Sequence, residues 1–440
     1  PEHIRKHWIA SFCKELLILL KMETFLVEDP DPNEPIIPVT VKFRVKLGSD
    51  GTIDKLKSRV CLRGDKQGEL VDWDTWCPIA GFRALRIFLA FASERKCRVY
   101  QLDFIGAFLQ AHARNKTYTT LPIEWVQFFP DLAKWFGKSL RLLKSLYGAV
   151  DAGRNWDDEL DSWLQAAPQN FSRCPAEGSI YFKFVGDHFI FLLNAVDDLL
   201  YFSNHQSTRD NFETTLKARF DVDFIGQAHW YLQSRVTQNA DFSIGLDQAR
   251  YSSLILSRFL PSQSLTSISD EDRVRYNAPL PADYVATKEE CSGDSMEVLR
   301  LESEFGFKYS SVIGMLIYLL NTAFLLQFAI RKLAKFMAIP GRKHFEAASH
   351  LLRYLRCNYT TLGLKYYPSL TVSPLYLLIK PLDSCPNNIA DFPLIIFTDS
   401  SWQDCPDTSR STGSYFISLH GGLIYGASFV PSPVALSSAE

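Results

Sequence analysis

Apolar residues near the start of the chain recur at helical spacing. Ile4, Trp8, Ile9, Phe12, Leu16, Leu17 and Leu20 predict an amphipathic helix over residues 1–24. A loop rich in Pro, Asp and Asn follows, and then the period changes to two. "VTVKFRVKLGSDGTIDKLKSRVCLRG" reads as strand, Ser-Asp-Gly turn, strand. The spacing predicts a helix from Phe82 to Ser93, a strand in "CRVYQLD", and a Trp-bearing helix in the second half of 141–166. Strands return in "SIYFKFVGDHFIFLLNAV" and "LLYFS", and "STRDNFETTLKARF" reads as a helix with a Ser/Thr start signal. Residues 261–305 are polar and turn-rich and read as a linker or mobile subdomain; 309–358 are strongly helical. A Pro-rich stretch, 367–393, precedes the strand "LIIFTDSSW" and further strands joined at a Gly-Gly turn. Strands and helices alternate without a regular βα repeat, which predicts an α+β fold.

Acidic residues interrupt two of the apolar strand patterns. Asp103 lies in "VYQLDFIGAF", and Asp197 and Asp198 lie in "FIFLLNAVDDLLYF". An ionised carboxylate beside a buried strand is costly unless compensated, and a divalent cation is a common compensation. An Asp-Asp pair at a hairpin turn is ordinary by itself, because Asp suits turns for backbone reasons. Asp103 changes the balance: it ends another strand, and the small residues Gly106 and Ala107 behind it allow close approach of a ligand. Carboxylates gathered on adjacent strand ends can hold two Mg²⁺ ions for nucleotidyl transfer. Phe108, five residues after Asp103, is a core aromatic or a ring placed to meet a nucleotide sugar. Lys55, Lys57, Arg59 and Arg63 share one face of their strand, opposite Leu56, Val60 and Leu62. Such a face either protects an edge strand or neutralises a triphosphate. Asp399 ends a third strand, in "IIFTDSSW".

Composition narrows the class. Of 440 residues 47% are apolar and 13% aromatic, enough for several packed domains and far from a disordered tail. A net charge of −2 argues against a uniformly basic nucleic-acid coat and permits a local basic groove. The nine cysteines form no CxxC pair and no zinc-spaced cluster, which suits a reducing compartment. No secretory signal opens the chain, which starts at Pro1 and ends at Glu440 within a patterned segment, as a piece of a longer product would. Val312–Ile330 carries no charge and is near the length of a membrane span. Asn321, Thr322 and Gln327 inside it, and amphipathic flanks, favour a buried helix or helix pair over the membrane alternative.

With these residues in place, the chain resembles the polymerase of copia-type LTR retrotransposons over nearly its whole length. "KSRVCLRGDKQ" is similar to the family's KARLVARGxxQ, "YQLDFIGAFLQ" to QxDVxxAFL, "LYGAVDAGRNW" to LYGLKQAPRxW and "AVDDLL" to YVDDLL. "CPIAGFRALRIFLAFA", "YSSVIGMLIYLL", "LAKFMAIPGRKHFEAASHLLRYLR" and "FTDSSWQDCPDTSRSTGSYF" resemble the segments that follow in the family, in the same order. The resemblance implies a right-hand polymerase: fingers in 1–90, palm with part of the fingers in 91–260, linker with thumb and connection helices in 261–375, and a truncated ribonuclease H-like segment in 376–440. It implies RNA-directed DNA polymerase activity with two Mg²⁺ ions, or Mn²⁺ in their place. Asp103, Asp197 and Asp198 would be the catalytic and metal-binding acids, with Asp103 and Asp197 the stronger ligands. Lys57 and Arg59 would meet the β- and γ-phosphates, Phe108 would be the sugar gate, and Asp151 would lie near the nascent base pair. The implied partners are an RNA template, a DNA primer, deoxynucleoside triphosphates and the capsid, protease and integrase parts of the polyprotein, without a membrane. The implied setting is the cytoplasm, in virus-like particles, with access to the nucleus.

The departures from the family pattern point to a second reading. Asp151 stands where LYGLKQ has Gln, Ala195 where an aromatic precedes VDD, "TAFL" (Thr322–Leu325) where the family has TRPD, and Gln233 where Gly follows "YL". A decayed, catalytically inactive nucleic-acid-binding remnant would accumulate such changes. Asp399 matches the first of four acids of the ribonuclease H fold; the expectation is that this site is vestigial and cleaves no hybrid.

Overall fold

The computed structural model describes residues 2–32, 34–47, 52–68, 75–130, 133–263, 265, 267–369 and 394–431. The Ser-Asp-Gly turn, most of the Pro-rich stretch and the final nine residues lie outside the described residues. The fold is mixed α+β with four sheets. It divides into two compact units that are not successive stretches of chain. One comprises residues 1–80 and 100–226, the other 81–99 and 227–440.

The first unit holds two sheets. In the five-stranded sheet the order is Phe25–Val27, Ser139–Leu142, Tyr118–Thr120, Ile36–Leu47, Ile53–Leu62. The helix Glu2–Lys21 packs on it through Phe12, Leu16 and Leu19, all buried with Val60, Leu62 and Leu142. Leu17 is 49% exposed, so the buried stripe is narrower than the apolar pattern. Ile53–Leu62 is an edge strand, yet the N–H groups of Ser58 and Val60 on that edge are bonded. Ser11 Oγ donates to Leu56 O (2.9 Å) and accepts from Ser58 N (2.9 Å), and Glu15 Oε1 accepts from Val60 N at 3.3 Å. Helix side chains four residues apart thus stand in for a missing neighbouring strand. Burial pushes the Glu15 carboxyl above its ordinary range, opposed by the Val60 N–H and by Arg59 and Lys57.

The second sheet of this unit has six strands: Val222–Gln227, Tyr100–Phe104, Asp198–Ser203, His188–Ala195, Ile180–Val185, Ser172–Arg173. Its helix-covered face carries Leu102, Phe104, Leu192, Leu199 and Tyr201 against Trp156, Leu160 and Leu164 of the helix Ala152–Gln165 and against Phe212 and Leu216 of Gln206–Arg219. The alternation of strand side chains sends Gln101, Asp103, Asp198 and Leu200 to the opposite face. The predicted Ser/Thr start of the Gln206–Arg219 helix shifts by two residues: His205 is the N-cap, and its ring Nδ1 lies 2.7 Å from Ser207 Oγ.

The second unit is built on a helical core. Ile255 and Leu256 of Ala249–Phe259, Leu301 of Ser295–Phe305, Val312, Ile313 and Leu316 of Tyr309–Leu319, and Leu351, Leu352 and Leu355 of Arg342–Asn358 pack together. Within the polar stretch 261–305 the described residues include two capped helices, Asp270–Arg275 and Ser295–Phe305: Ser269 accepts from Asp272 N, and Asp294 from Glu297 N. The uncharged run 312–330 is broken in two. The helix Tyr309–Leu319 stops, a 3-10 turn spans Phe324–Leu326, and a helix resumes at Gln327–Ala334. The break falls where Asn321 Nδ2 bonds Tyr318 O (2.9 Å), a local side-chain bond that competes with the helix, and where Thr322 Oγ1 donates to the distant Gln248 Oε1 (3.1 Å). No described helix is long and apolar enough to cross a membrane. The unit also holds a four-stranded sheet and a three-stranded sheet, Leu394–Ser401, Thr412–Leu419 and Gly422–Phe429. The last two are joined through His420 (φ 48°) and Gly421 (φ 81°), the paired positive φ of a tight hairpin turn.

Candidate active site

The site is assembled by pairing between strands distant in sequence. Tyr100–Phe104 and Asp198–Ser203 run antiparallel, with Asp103 directly opposite Asp198. Residues opposite each other share a face, so both carboxylates stand on the face away from the helices, and like charges in this relation repel. Gln101, diagonal to Asp198, donates from Nε2 to its Oδ1 at 3.3 Å. Asp197 sits in the two-residue turn closed by the Ala195–Asp198 pair, and its backbone carbonyl accepts from Phe104 N at 2.7 Å.

The turn is strained. Val196 has φ 59°, a conformation a β-branched residue rarely adopts. The buried Trp156 holds it there, donating from the indole N–H to Val196 O at 2.9 Å. Strain of this kind persists only where the surroundings over-determine it. Trp156→Phe is expected to lower stability by about 1–2 kcal/mol, from the carbonyl left without its donor. Urea unfolding checks this; an unchanged midpoint would mean that other contacts hold the turn.

Arg59 faces these acids. Its guanidinium lies 3.7 Å from the Asp197 carboxylate and 4.7 Å above the ring of Tyr147. Tyr147 in turn meets Phe108 edge-on, with ring centroids 5.5 Å apart. Burial, then the charges of Asp197 and Asp103, keep the Tyr147 hydroxyl protonated well above its ordinary range, with Arg59 opposing. Tyr147 O accepts from Leu62 N at 2.6 Å, which ties its loop to the end of the basic strand. That close approach needs Gly148: with φ 84°, a Cβ there would lie 2.3 Å from Leu62 O.

The basic face is larger than the single strand suggests. Lys42 lies opposite Arg59 and Arg44 opposite Lys57 in the neighbouring strand, so cations face each other in two cross-strand pairs. Facing like charges are unfavourable without an anion between them. The alternation in "VKFRVK" carries this signal, and it was legible once the two strands were paired. Arg63 departs from this face: the strand ends at Leu62, and Arg63 makes a two-pronged pair with Asp65 at 2.8 and 2.6 Å.

Asp103, Asp197, Asp198, Arg59 and Phe108 are therefore neighbours in one region, with Lys57 on the same strand face as Arg59. Asp151 has partners of its own. It is 7% exposed and accepts from Asn115 Nδ2 (3.0 Å) and Asn155 Nδ2 (3.1 Å) at the start of the Ala152–Gln165 helix. In the other unit Asp399 is exposed on its strand, and its carboxylate accepts from Ser400 N at 2.9 Å.

The donor chemistry at Asp103 and Asp198 is that of a hard divalent cation: carboxylate oxygens from facing positions. Among the described residues no three His, Cys, Asp or Glu side chains already form a cage for an ion. Mg²⁺ commonly binds through one or two carboxylates and takes its other oxygens from substrate phosphates and water. The residues fit an ion of that kind rather than a permanent structural metal.

Comparison with known proteins agrees with the geometry. A family model described as reverse transcriptase (RNA-dependent DNA polymerase) matches residues 22–268, more than half of the chain. The chain is 26% identical over 432 residues to the retrovirus-related Pol polyprotein from transposon TNT 1-94 of Nicotiana tabacum, covering 97% of this chain and 29% of the relative. It is 29% identical over 335 residues to the corresponding polyprotein from transposon RE2 of Arabidopsis thaliana, covering 75% of this chain and 21% of the relative. For transposon RE1 of the same plant the figures are 27% over 333 residues, 75% and 21%. The chain spans less than a third of the length of these relatives. The chain belongs to the reverse transcriptase (RNA-dependent DNA polymerase) family, as a copia-type member.

Proposed function

We propose that this chain is the RNA-directed DNA polymerase part of a retrotransposon polyprotein, with Asp103, Asp197 and Asp198 as its nucleotidyl-transfer centre. The observation that carries the reading is the facing pair of Asp103 and Asp198 with Asp197 one residue away. Two carboxylates opposite each other repel, and a cation arriving with a triphosphate relieves that repulsion. When bound, two Mg²⁺ ions, or Mn²⁺ in their place, would lower the pKa of the primer 3′-hydroxyl and stabilise the pyrophosphate leaving group.

The chain's own residues do the remaining work. Asp103 and Asp197 orient the incoming ions, and Asp198 adds negative charge beside them. Arg59 exchanges its distant contact with Asp197 for charge-assisted hydrogen bonds to the β- and γ-phosphates, with Lys57 beside it. Lys42 and Arg44 extend the positive strip. Phe108 meets the sugar face. Asp151 joins this set only by giving up the amide donors of Asn115 and Asn155. The duplex of RNA template and DNA primer is gripped by backbone charge and A-form shape rather than by base sequence.

The finer architecture belongs to the same proposal: fingers in 1–90, palm with part of the fingers in 91–260, linker with thumb and connection helices in 261–375, and a truncated ribonuclease H-like segment in 376–440. So do the other polyprotein parts as partners and a cytoplasmic particle as the setting. Extension of a DNA primer on an RNA template with Mg²⁺ tests the activity. A folded chain that binds primer–template yet never extends it favours the remnant reading, for which the engagement of Asp151 and the alanine at Ala195 are the specific observations.

A further inference from the structure

Tyr147 touches both halves of the proposed nucleotide pocket. The Arg59 guanidinium rests on its ring face at 4.7 Å, and the Phe108 ring meets it edge-on at 5.5 Å with the planes 62° apart. Tyr147 is itself fixed through its backbone, whose carbonyl accepts from Leu62 N at 2.6 Å, and its ring reaches Gly106, where a Cβ would be 3.7 Å from the hydroxyl oxygen. Gly106, at φ 66°, opens the one-turn helix Ala107–Gln110 that carries Phe108. Phe108 is half-buried, so its own packing does not fix its rotamer from every side.

We propose that Tyr147 is a positioning residue for sugar discrimination: it holds the Phe108 ring against the place of the 2′-carbon and joins it, through one shared ring, to the phosphate-binding Arg59. This rests on the reading of Phe108 as the ring that meets the nucleotide sugar. An edge-on aromatic contact has a preferred angle, and an aliphatic side chain of similar size does not supply it. The cation over the opposite face adds a second restraint on the same ring. Arrival of phosphate at Arg59 and rejection of a ribose at Phe108 are then read by one element. The ring, not the hydroxyl, does this, so phenylalanine suffices at the position.

The test is the affinity of this chain for a deoxynucleoside triphosphate relative to the matching ribonucleoside triphosphate. It is measured in complexes with an RNA template, a dideoxy-terminated DNA primer and Mg²⁺, so that no turnover is needed. In Tyr147→Leu and Tyr147→Met, read in parallel so that poor folding of one does not decide, the deoxy preference is expected to fall by about tenfold. Tyr147→Phe is expected to keep the parental preference. In a Phe108→Ala background Tyr147→Leu is expected to change nothing further, because the two residues act as one unit. A Phe108→Ala variant that loses the preference while Tyr147→Leu and Tyr147→Met both keep it overturns the inference alone. Multiplication of the two effects in the double variant overturns it as well. A Phe108→Ala variant that keeps the parental preference sinks the sugar-gate reading, and the role of Tyr147 with it.

Discussion

Asp103→Asn and Asp197→Asn are each expected to lower primer extension on an RNA template by about a thousandfold or more, without loss of stability. The two halves of this expectation have different origins. The activity is lost because an amide is a weak ligand for a hard cation, and charge developing on the reacting oxygens is left uncompensated. The fold survives because Asn has nearly the shape of Asp. For Asp103 the argument goes further. It faces Asp198 across the strands, so removing one charge relieves a repulsion. Relief of a facing like-charge pair is worth roughly 0.2–1 kcal/mol, which would appear as an unchanged or raised midpoint in thermal or urea unfolding. Retained extension within tenfold, or a clear drop in stability, would show that the aspartates serve the fold and not a reaction.

Arg59→Ala is expected to weaken deoxynucleoside triphosphate binding by about ten- to a hundredfold, from the loss of charge-assisted hydrogen bonds worth roughly 1.5–3 kcal/mol. The effect should fall on KM more than on kcat, since ground state and transition state both carry the triphosphate. Arg59→Lys should recover only part of it. A lysine keeps the charge but neither the planar fork nor the flat stacking on Tyr147. Because Arg59 also lies 3.7 Å from Asp197, the alanine variant is expected to bind divalent cation no more weakly than the parent. Unchanged KM would remove Arg59 from the phosphate site and leave it as a counter-ion for Asp197.

Much of the local structure was legible from residue order. The first helix, the basic hairpin and the two acid-bearing strands announce themselves by period and by the cost of a carboxylate in an apolar run. What residue order concealed was pairing at long range. Nothing local says that Asp103 lies opposite Asp198, or that Lys42 faces Arg59, since register is set by whole faces finding their cores. Ser11 and Glu15 were invisible for a related reason: their partners are backbone groups of a strand some forty-five residues away. Glu15 did leave a trace, as an acid on the same stripe as Phe12, Leu16 and Leu19. The break in the uncharged run 312–330 was signalled by the polar Asn321 and Thr322, of which Asn321 bonds a backbone carbonyl of its own helix. The helix Phe82–Glu94 was predicted as a helix, but its place in the unit that also contains residues 227–440 has no local signature.

The proposed metal-binding aspartates are best tested by locating metal directly, from the anomalous scattering of Mn²⁺ in crystals of this chain with an RNA template, a terminated DNA primer and a matching deoxynucleoside triphosphate. Two peaks on the order of 4 Å apart, beside the Asp103 and Asp197 carboxylates and the triphosphate, are expected. Manganese bound at other acids, with the Asp103 and Asp197 carboxylates empty in a complex that holds its nucleotide, would contradict the proposed centre.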